Sequence, residues 1–172
     1  MNIFRKKSFI ILFSLVFVVA VGAIAVLTSQ SRQLVLDDVL ESLDFSPLVV
    51  TGSSSFKPYD YKTSVMGDGV ILLTYIIPLD SDRSVTVSEY PQPSQFTDVP
   101  DFKEKFLEDV IQQTSSVSSA GGTIILGKMA KQNNQQMAVM LDHGLVVFLV
   151  PSTELSERDW RKIGDSLVVQ RQ

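Results

Sequence analysis

Thr123–Met129 (TIILGKM), Gln136–Leu141 (QMAVML) and Leu145–Val150 (LVVFLV) are three apolar runs separated by Gln132-Asn133-Asn134 and Asp142-His143-Gly144. Each run is of strand length and rich in apolar residues, and the separators are turn formers. The stretch predicts three antiparallel strands joined as a meander.

Reading outward from it toward the C-terminus, Ser156 is an N-cap candidate with Asp159 at the reciprocal capping position, and Leu155 is set to staple onto Trp160. Trp160, Ile163 and Leu167 then recur at i, i+3 and i+7, the spacing of one helical face, while Arg158, Arg161, Lys162 and Asp165 fall elsewhere. A helix lying over the sheet is expected.

Reading outward toward the N-terminus, Thr114–Gly122 is Ser- and Gly-rich and reads as a flexible surface return. Before it, Phe102, Phe106, Val110 and Ile111 trace a helical stripe, with Asp101 and Glu104 at capping-box spacing and an end near Gln113. Pro91, Pro93 and Pro100 take the chain out of the sheet. Val70–Ile77 reads as a buried strand, and Val85, Val87 and Glu89-Tyr90 as its partner across the Asp80-Ser81-Asp82 turn. Thr51–Tyr61, with its serines, Gly52 and Pro58, reads as loop or irregular edge. The fold class expected is α+β: an antiparallel sheet of about five strands packed against two or three helices on one face, preceded by an N-terminal transmembrane helix.

That last element rests on Phe9–Leu27, which carries no charge, with Arg5, Lys6 and Lys7 before it. About 19 residues at roughly 1.5 Å per residue match a hydrocarbon layer of about 30 Å. The basic triplet retains the N-terminus in the cytoplasm. The organisation expected is a cytoplasmic tail over 1–7, a single-pass membrane helix over 8–27, a stalk and short amphipathic helix over 28–46 (Leu36, Val39, Leu40 and Leu43 on one face), and an extracytoplasmic domain over 47–172. Ala23-Ile24-Ala25 offers a signal-peptidase alternative, against which stand the length of the apolar run and its continuation through Val26 and Leu27. A prepilin-type junction at Ser8-Phe9 lacks the usual Glu five residues in, where Phe13 stands.

Charge sharpens the setting. Removing Arg5, Lys6 and Lys7 from the 15 basic residues leaves 12 against 19 acidic ones, a net of −7 beyond the leader. An acidic domain disfavours nucleic acid and anionic lipid headgroups as partners. With no cysteine there is no disulfide framework and no thiol chemistry, and an exported domain without them fits a bacterial envelope.

Chemistry-bearing residues are sparse. His143 is the single histidine and falls in a turn, so no cofactor and no metal is expected: a transition-metal site or a Ser-His-Asp triad lacks its parts. Asp80-x-Asp82 opens like a calcium loop, but the twelfth position is Pro91. Neither Ser53–Ser55 nor Ser115–Ser119 belongs to a nucleophile motif, and Gly121-Gly122 precedes a strand instead of a helix. Phe56, Tyr59, Tyr61 and Tyr90 form a candidate aromatic patch for a partner or glycan, the plainer alternative being that they fill the core.

The anchor, the hairpin and a final strand, turn and Ser-capped helix ending Ile163-Gly164-Asp165-Ser166-Leu167 resemble small bacterial membrane-anchored extracytoplasmic domains of unknown function, of the anti-sigma-factor-associated or lipoprotein-carrier-like α+β kind. The resemblance covers about the last 100 residues and rests on pattern; it implies sensing, binding or scaffolding, with Gly164 where an Ala is usual and no functional residue to carry over. The expected function is a non-catalytic, single-pass membrane-anchored extracytoplasmic binding or interaction module, its partners the membrane through 8–27 and another envelope protein. One alternative is a structural subunit of a membrane complex, packed through Ala20, Gly22, Ala23 and Ala25. The other is a cell-wall glycan enzyme drawing a carboxylate pair from Asp80, Asp82, Glu89 and Asp142.

Overall fold

The computed structural model describes residues 39–51, 54–67, 69–130 and 134–170. The Phe9–Leu27 run lies outside the described residues, and among those described no helix is long and apolar enough to cross a membrane.

The described chain runs β1 (Leu48–Val50), β2 (Tyr59–Val65), β3 (Ile71–Pro78), β4 (Ser84–Pro91), α1 (Gln95–Asp98), α2 (Phe102–Val110), β5 (Ile111–Ser119), β6 (Gly122–Met129), β7 (Gln136–Asp142), β8 (Leu145–Pro151), α3 (Glu157–Ser166) and β9 (Leu167–Val169). Strands β2 to β8 form one seven-stranded antiparallel sheet in the order β2-β3-β4-β8-β7-β6-β5, and β1 pairs with β9 in a separate two-stranded sheet. Two meanders, β2–β4 and β5–β8, therefore meet along the central β4–β8 seam, where Val85 faces Pro151 and Pro91 faces Leu145.

This corrects the expected fold class. The sheet has seven strands, not about five, a second small sheet is present, and helices cover both faces. The physical reason is visible in β8, where Leu145 through Leu149 are all buried. A strand with one solvated face alternates apolar and polar residues; one covered on both sides reads as an unbroken apolar run. Leu145, Val147 and Leu149 belong to the core beneath α3 and β1, whereas Val146 and Phe148 belong to the core beneath α2.

One strand falls where a flexible return was expected, and another begins in the stretch read as loop or irregular edge. β5 occupies most of the Ser-rich stretch because its inward residues are only Ile111 and Val117, the rest being polar and largely exposed. Its pairing with β6 shifts between Gln113 and Ser115. The extra residue reverses which face later side chains present, so Ile111 joins one core and Val117 the other although both are odd-numbered. β2 is the opposite edge strand, marked by a register shift between Tyr59 and Lys62 and by Asp60 at φ 58°.

The two main helices begin differently. The Ser156 hydroxyl accepts the Asp159 N–H (3.3 Å) and donates to Asp159 Oδ2 (2.8 Å), the reciprocal cap read from sequence. Leu155, Trp160, Ile163 and Leu167 are buried as that reading requires. Asp101, by contrast, sits in the left-handed region at φ 58° and makes no side-chain cap, so the expected capping box at α2 does not form. α2 also stops at Val110 and passes straight into β5, short of Gln113.

Gly164 has a packing reason. A Cβ there would lie 2.6 Å from the Ser119 Cβ and would also meet its hydroxyl, so α3 approaches the β5–β6 hairpin closer than any side chain allows. The hairpin responds in kind: the Gly121 N–H donates to Gly164 O (3.1 Å) and the Ala120 N–H to Asp165 Oδ1 (2.8 Å).

Candidate ligand groove and buried acid

Three segments enclose a groove of about 510 Å³ at the end of the sheet where β4 begins. The stretch after β1 supplies Thr51, Ser54, Ser55 and Phe56; the β3–β4 turn supplies Leu79 and Arg83; and α3 supplies Asp159, Lys162, Asp165 and Ser166. The last four recur at i, i+3, i+6 and i+7, a stripe of α3 that runs from the exposed side to the buried Ser166 beside Ile163. The groove thus has two cationic and two anionic side chains, several hydroxyls and one aromatic edge.

Its charges are held in place. Asp80 Oδ1 accepts the N–H groups of Asp82 (3.1 Å) and Arg83 (2.9 Å), while Oδ2 accepts from Arg83 Nε at 2.7 Å. The Arg83 hydrogen bond, followed by the Asp82 N–H, holds the Asp80 carboxyl below its ordinary range. Arg83 Nη1 then reaches Asp159 Oδ2 at 3.4 Å, joining the β3–β4 turn to the start of α3. Asp159 is likewise lowered, chiefly by the Ser156 hydroxyl.

The four aromatic residues of the candidate patch do not form one surface. Phe56 is partly buried and lines the groove, and Tyr59 is 44% exposed. Tyr61 is buried and stacks on Tyr75 at 5.2 Å, whereas Tyr90 is buried on the other face of the sheet, 6.1 Å from Phe148. Of the four candidate carboxylates, only Asp80 and Asp82 lie together. Asp80 and Asp82 sit in the turn before β4, Asp142 lies in the β7–β8 turn at the far end of the β4–β8 seam, and Glu89 is inside the core. Some seven residues of extended chain, roughly 23 Å, separate the two ends, far beyond the roughly 5–9.5 Å at which two carboxyls share a glycosidic bond. His143, at φ 52° and followed by Gly144 at φ 74°, forms the exposed type I′ turn, its N–H donating to Asp142 Oδ1. Among the described residues no three His, Cys, Asp or Glu side chains gather as a metal would require.

Glu89, named in the sequence as one of four candidate carboxylates, proves to be buried. It is fully buried, and among the described residues it is the sole buried side chain of an ionisable acid or base other than tyrosine. Its Oε2 accepts the Leu48 N–H at 2.8 Å, and the Tyr75 hydroxyl donates to Leu48 O at 2.8 Å. The two side chains therefore engage both backbone groups of one residue of β1. Burial pushes the Glu89 carboxyl up to about 8, opposed only by the Leu48 N–H, and Oε1 makes no hydrogen bond. Burial, and next the nearby Glu89, raise Tyr61 to about 12 and Tyr75 well above the ordinary phenol range. A signal was available in the strand alternation: Val85, Val87 and Glu89 share a face, so an inward Val85 and Val87 require an inward Glu89.

No protein-family model matches the chain, and neither a curated protein nor a solved structure is found to be similar to it.

Proposed function

We propose that this protein is a membrane-anchored extracytoplasmic binding module of a bacterial envelope, without catalytic chemistry, and that it engages a partner protein through the groove between α3, the β3–β4 turn and the residues Thr51, Ser54, Ser55 and Phe56. The groove itself carries this reading: Arg83 and Lys162 balance Asp159 and Asp165 around hydroxyls and the Phe56 ring. Such a lining suits a polar segment of mixed charge better than a polyanion or a lipid. Its acids are engaged as structural acceptors, Asp159 with Ser156 and Arg83 and Asp165 with Ala120, which fits them for positioning a partner and not for proton transfer. The anchor part of the reading is supported by the uncharged Phe9–Leu27 run behind Arg5, Lys6 and Lys7.

The test is site-specific photo-crosslinking of the full chain in native membranes, with the reactive group at Phe56, at Lys162 or, as a remote site, at Gln113. The expected result is one discrete adduct from Phe56 and Lys162 that is absent from Gln113 and is lost when Arg83→Glu is added. Adducts that are equal at all three positions, or absent from the groove positions, would sink the proposal. Digestion of the domain by protease added outside intact cells checks the orientation.

A further inference from the structure

The contact between Glu89 and β1 has an unusual layout. Pro47 O accepts the Gln170 N–H and the Thr51 N–H donates to Ser166 O, so residues 47, 49 and 51 turn their backbone groups toward β9. Leu48 then points its N–H and C=O the other way, onto the face of the large sheet. Strand edges left with free N–H and C=O groups are costly when buried. Here the acceptor for Leu48 is a carboxyl and its donor a phenol, both from the sheet.

Among the described residues, the surroundings of that carboxyl offer it no countercharge. The core on its side of the sheet takes Tyr75 and Tyr61 from β3 and β2, Leu145, Val147 and Leu149 from β8, Trp160 and Ile163 from α3, and Val39, Leu43 and Phe45 from the segment before β1. Glu41 and Asp44 of that segment are exposed and carry the same sign, and no Lys, Arg or His is among the buried residues described. Ionised, the group needs water, and of its walls only one is weak. Below it lies the centre of a seven-stranded sheet; above it lies a pair of three-residue strands. The low-stability element yields first. That same element ends in Thr51, bonded to Ser166, and both residues line the groove.

We infer that β1 is a proton-gated latch: with the Glu89 carboxyl neutral, β1 lies clamped on the sheet and the groove keeps its Thr51 wall, and with the carboxyl ionised, β1 lifts, hydrating Glu89 and opening the groove. The latch belongs to the domain whatever the groove binds; only its effect on a ligand rests on the function proposed above. The sign follows from which state holds the proton. The closed latch retains it, so closure is fully present below the ordinary value of 4.5, weakens as pH rises above it, and is lost as pH rises through about 8.

The test uses the full chain in detergent micelles from pH 6 to 9.5, below the range in which Tyr61 and Tyr75 ionise. Hydrogen–deuterium exchange, corrected for the intrinsic dependence on pH, is followed over residues 45–51 and 166–170. Trp160, the single tryptophan and fully buried, reports by its emission. Expected are an increase in exchange of at least tenfold in both segments and a red shift of emission, sharing one midpoint near pH 8. Both changes should be absent from Glu89→Gln, which keeps an acceptor for Leu48 and cannot ionise. Parallel behaviour of wild type and Glu89→Gln through pH 9.5 overturns the inference. Should Glu89→Gln fail to fold, Tyr75→Phe decides: removal of half the clamp must move the wild-type midpoint to lower pH, and an unmoved midpoint overturns the latch equally. Neither readout needs a groove ligand, so failure here and failure of crosslinking are separate results.

Discussion

Beneath α1 and α2 the sheet is closed by aromatic rings: Phe106 stands 5.1 Å from Phe96 and 6.3 Å from Phe148, and Phe148 in turn meets Tyr90. Beneath α3 and the β1–β9 pair the core is larger and more aliphatic, yet it contains both of the buried polar atoms that make no hydrogen bond among the described residues, Glu89 Oε1 and Trp160 Nε1. Among the described residues, the first face buries Tyr90 and the hydrogen-bonded Thr74–Ser88 pair beside its apolar side chains, and no carboxyl or basic group. The other gives up stability to keep an acid inside. The difference locates where the molecule is built to stay shut and where it is built to respond.

The sealed face should be the most expensive to damage. Phe148→Ala removes a ring buried on a central strand between two others, and a loss of about 3–5 kcal/mol is expected in urea unfolding, independent of pH. A pH-dependent loss would show that the two faces are not separate in their chemistry.

Glu89→Gln should do the opposite. An acid whose ordinary value is 4.5 and whose folded value is about 8 destabilises the fold progressively as pH rises between those values. At about 1.4 kcal/mol per pH unit, the variant should be more stable than wild type by roughly 3 kcal/mol at pH 7, with the gain vanishing near pH 4.5. An equal or lower stability at pH 7 would mean that Glu89 is better accommodated than its surroundings suggest.

Gly164→Ala should cost about 1–2 kcal/mol in thermal unfolding, because the overlap with Ser119 outweighs the better helix propensity of alanine. A stabilised variant would mean that α3 can shift away from the β5–β6 hairpin freely. Ser156→Ala is the mildest change, about 1 kcal/mol from the lost cap on the Asp159 N–H. Its effect should be the same at pH 6 and pH 9, which separates loss of α3 from release of β1.

Much of the fold was legible in the sequence. The β6–β8 meander, the β3–β4 hairpin and α3 with its Ser156 cap declare themselves because propensity, periodicity and turn chemistry agree there. The two edges do not. β5 hides behind polar residues and a bulge that breaks the alternation, and β2 behind Pro58, the preceding serines and an exposed register. β1 and β9 are the same tripeptide, Leu-Val-Val, too short to read as strands without knowing that each meets the other. The groove is assembled from three segments distant in sequence, so only Phe56 among its lining residues was singled out as a binding candidate. The face coverage was in principle readable from Leu145–Val150, where the absence of alternation reports two buried sides.

The meeting of β1 and β9 also fixes where the folded unit can be joined. Gln170 N–H and Pro47 O are 2.8 Å apart, so the chain after β9 returns beside the start of β1. A linker of a few residues between positions 170 and 47, with new ends opened at the exposed His143-Gly144 turn, would give a circularly permuted form of the two sheets and their helices, less the Val39, Leu43 and Phe45 that pack on the core from before β1. In that form the β1–β9 pair becomes an internal hairpin, tied covalently where the wild-type chain ties it by three facing residue pairs.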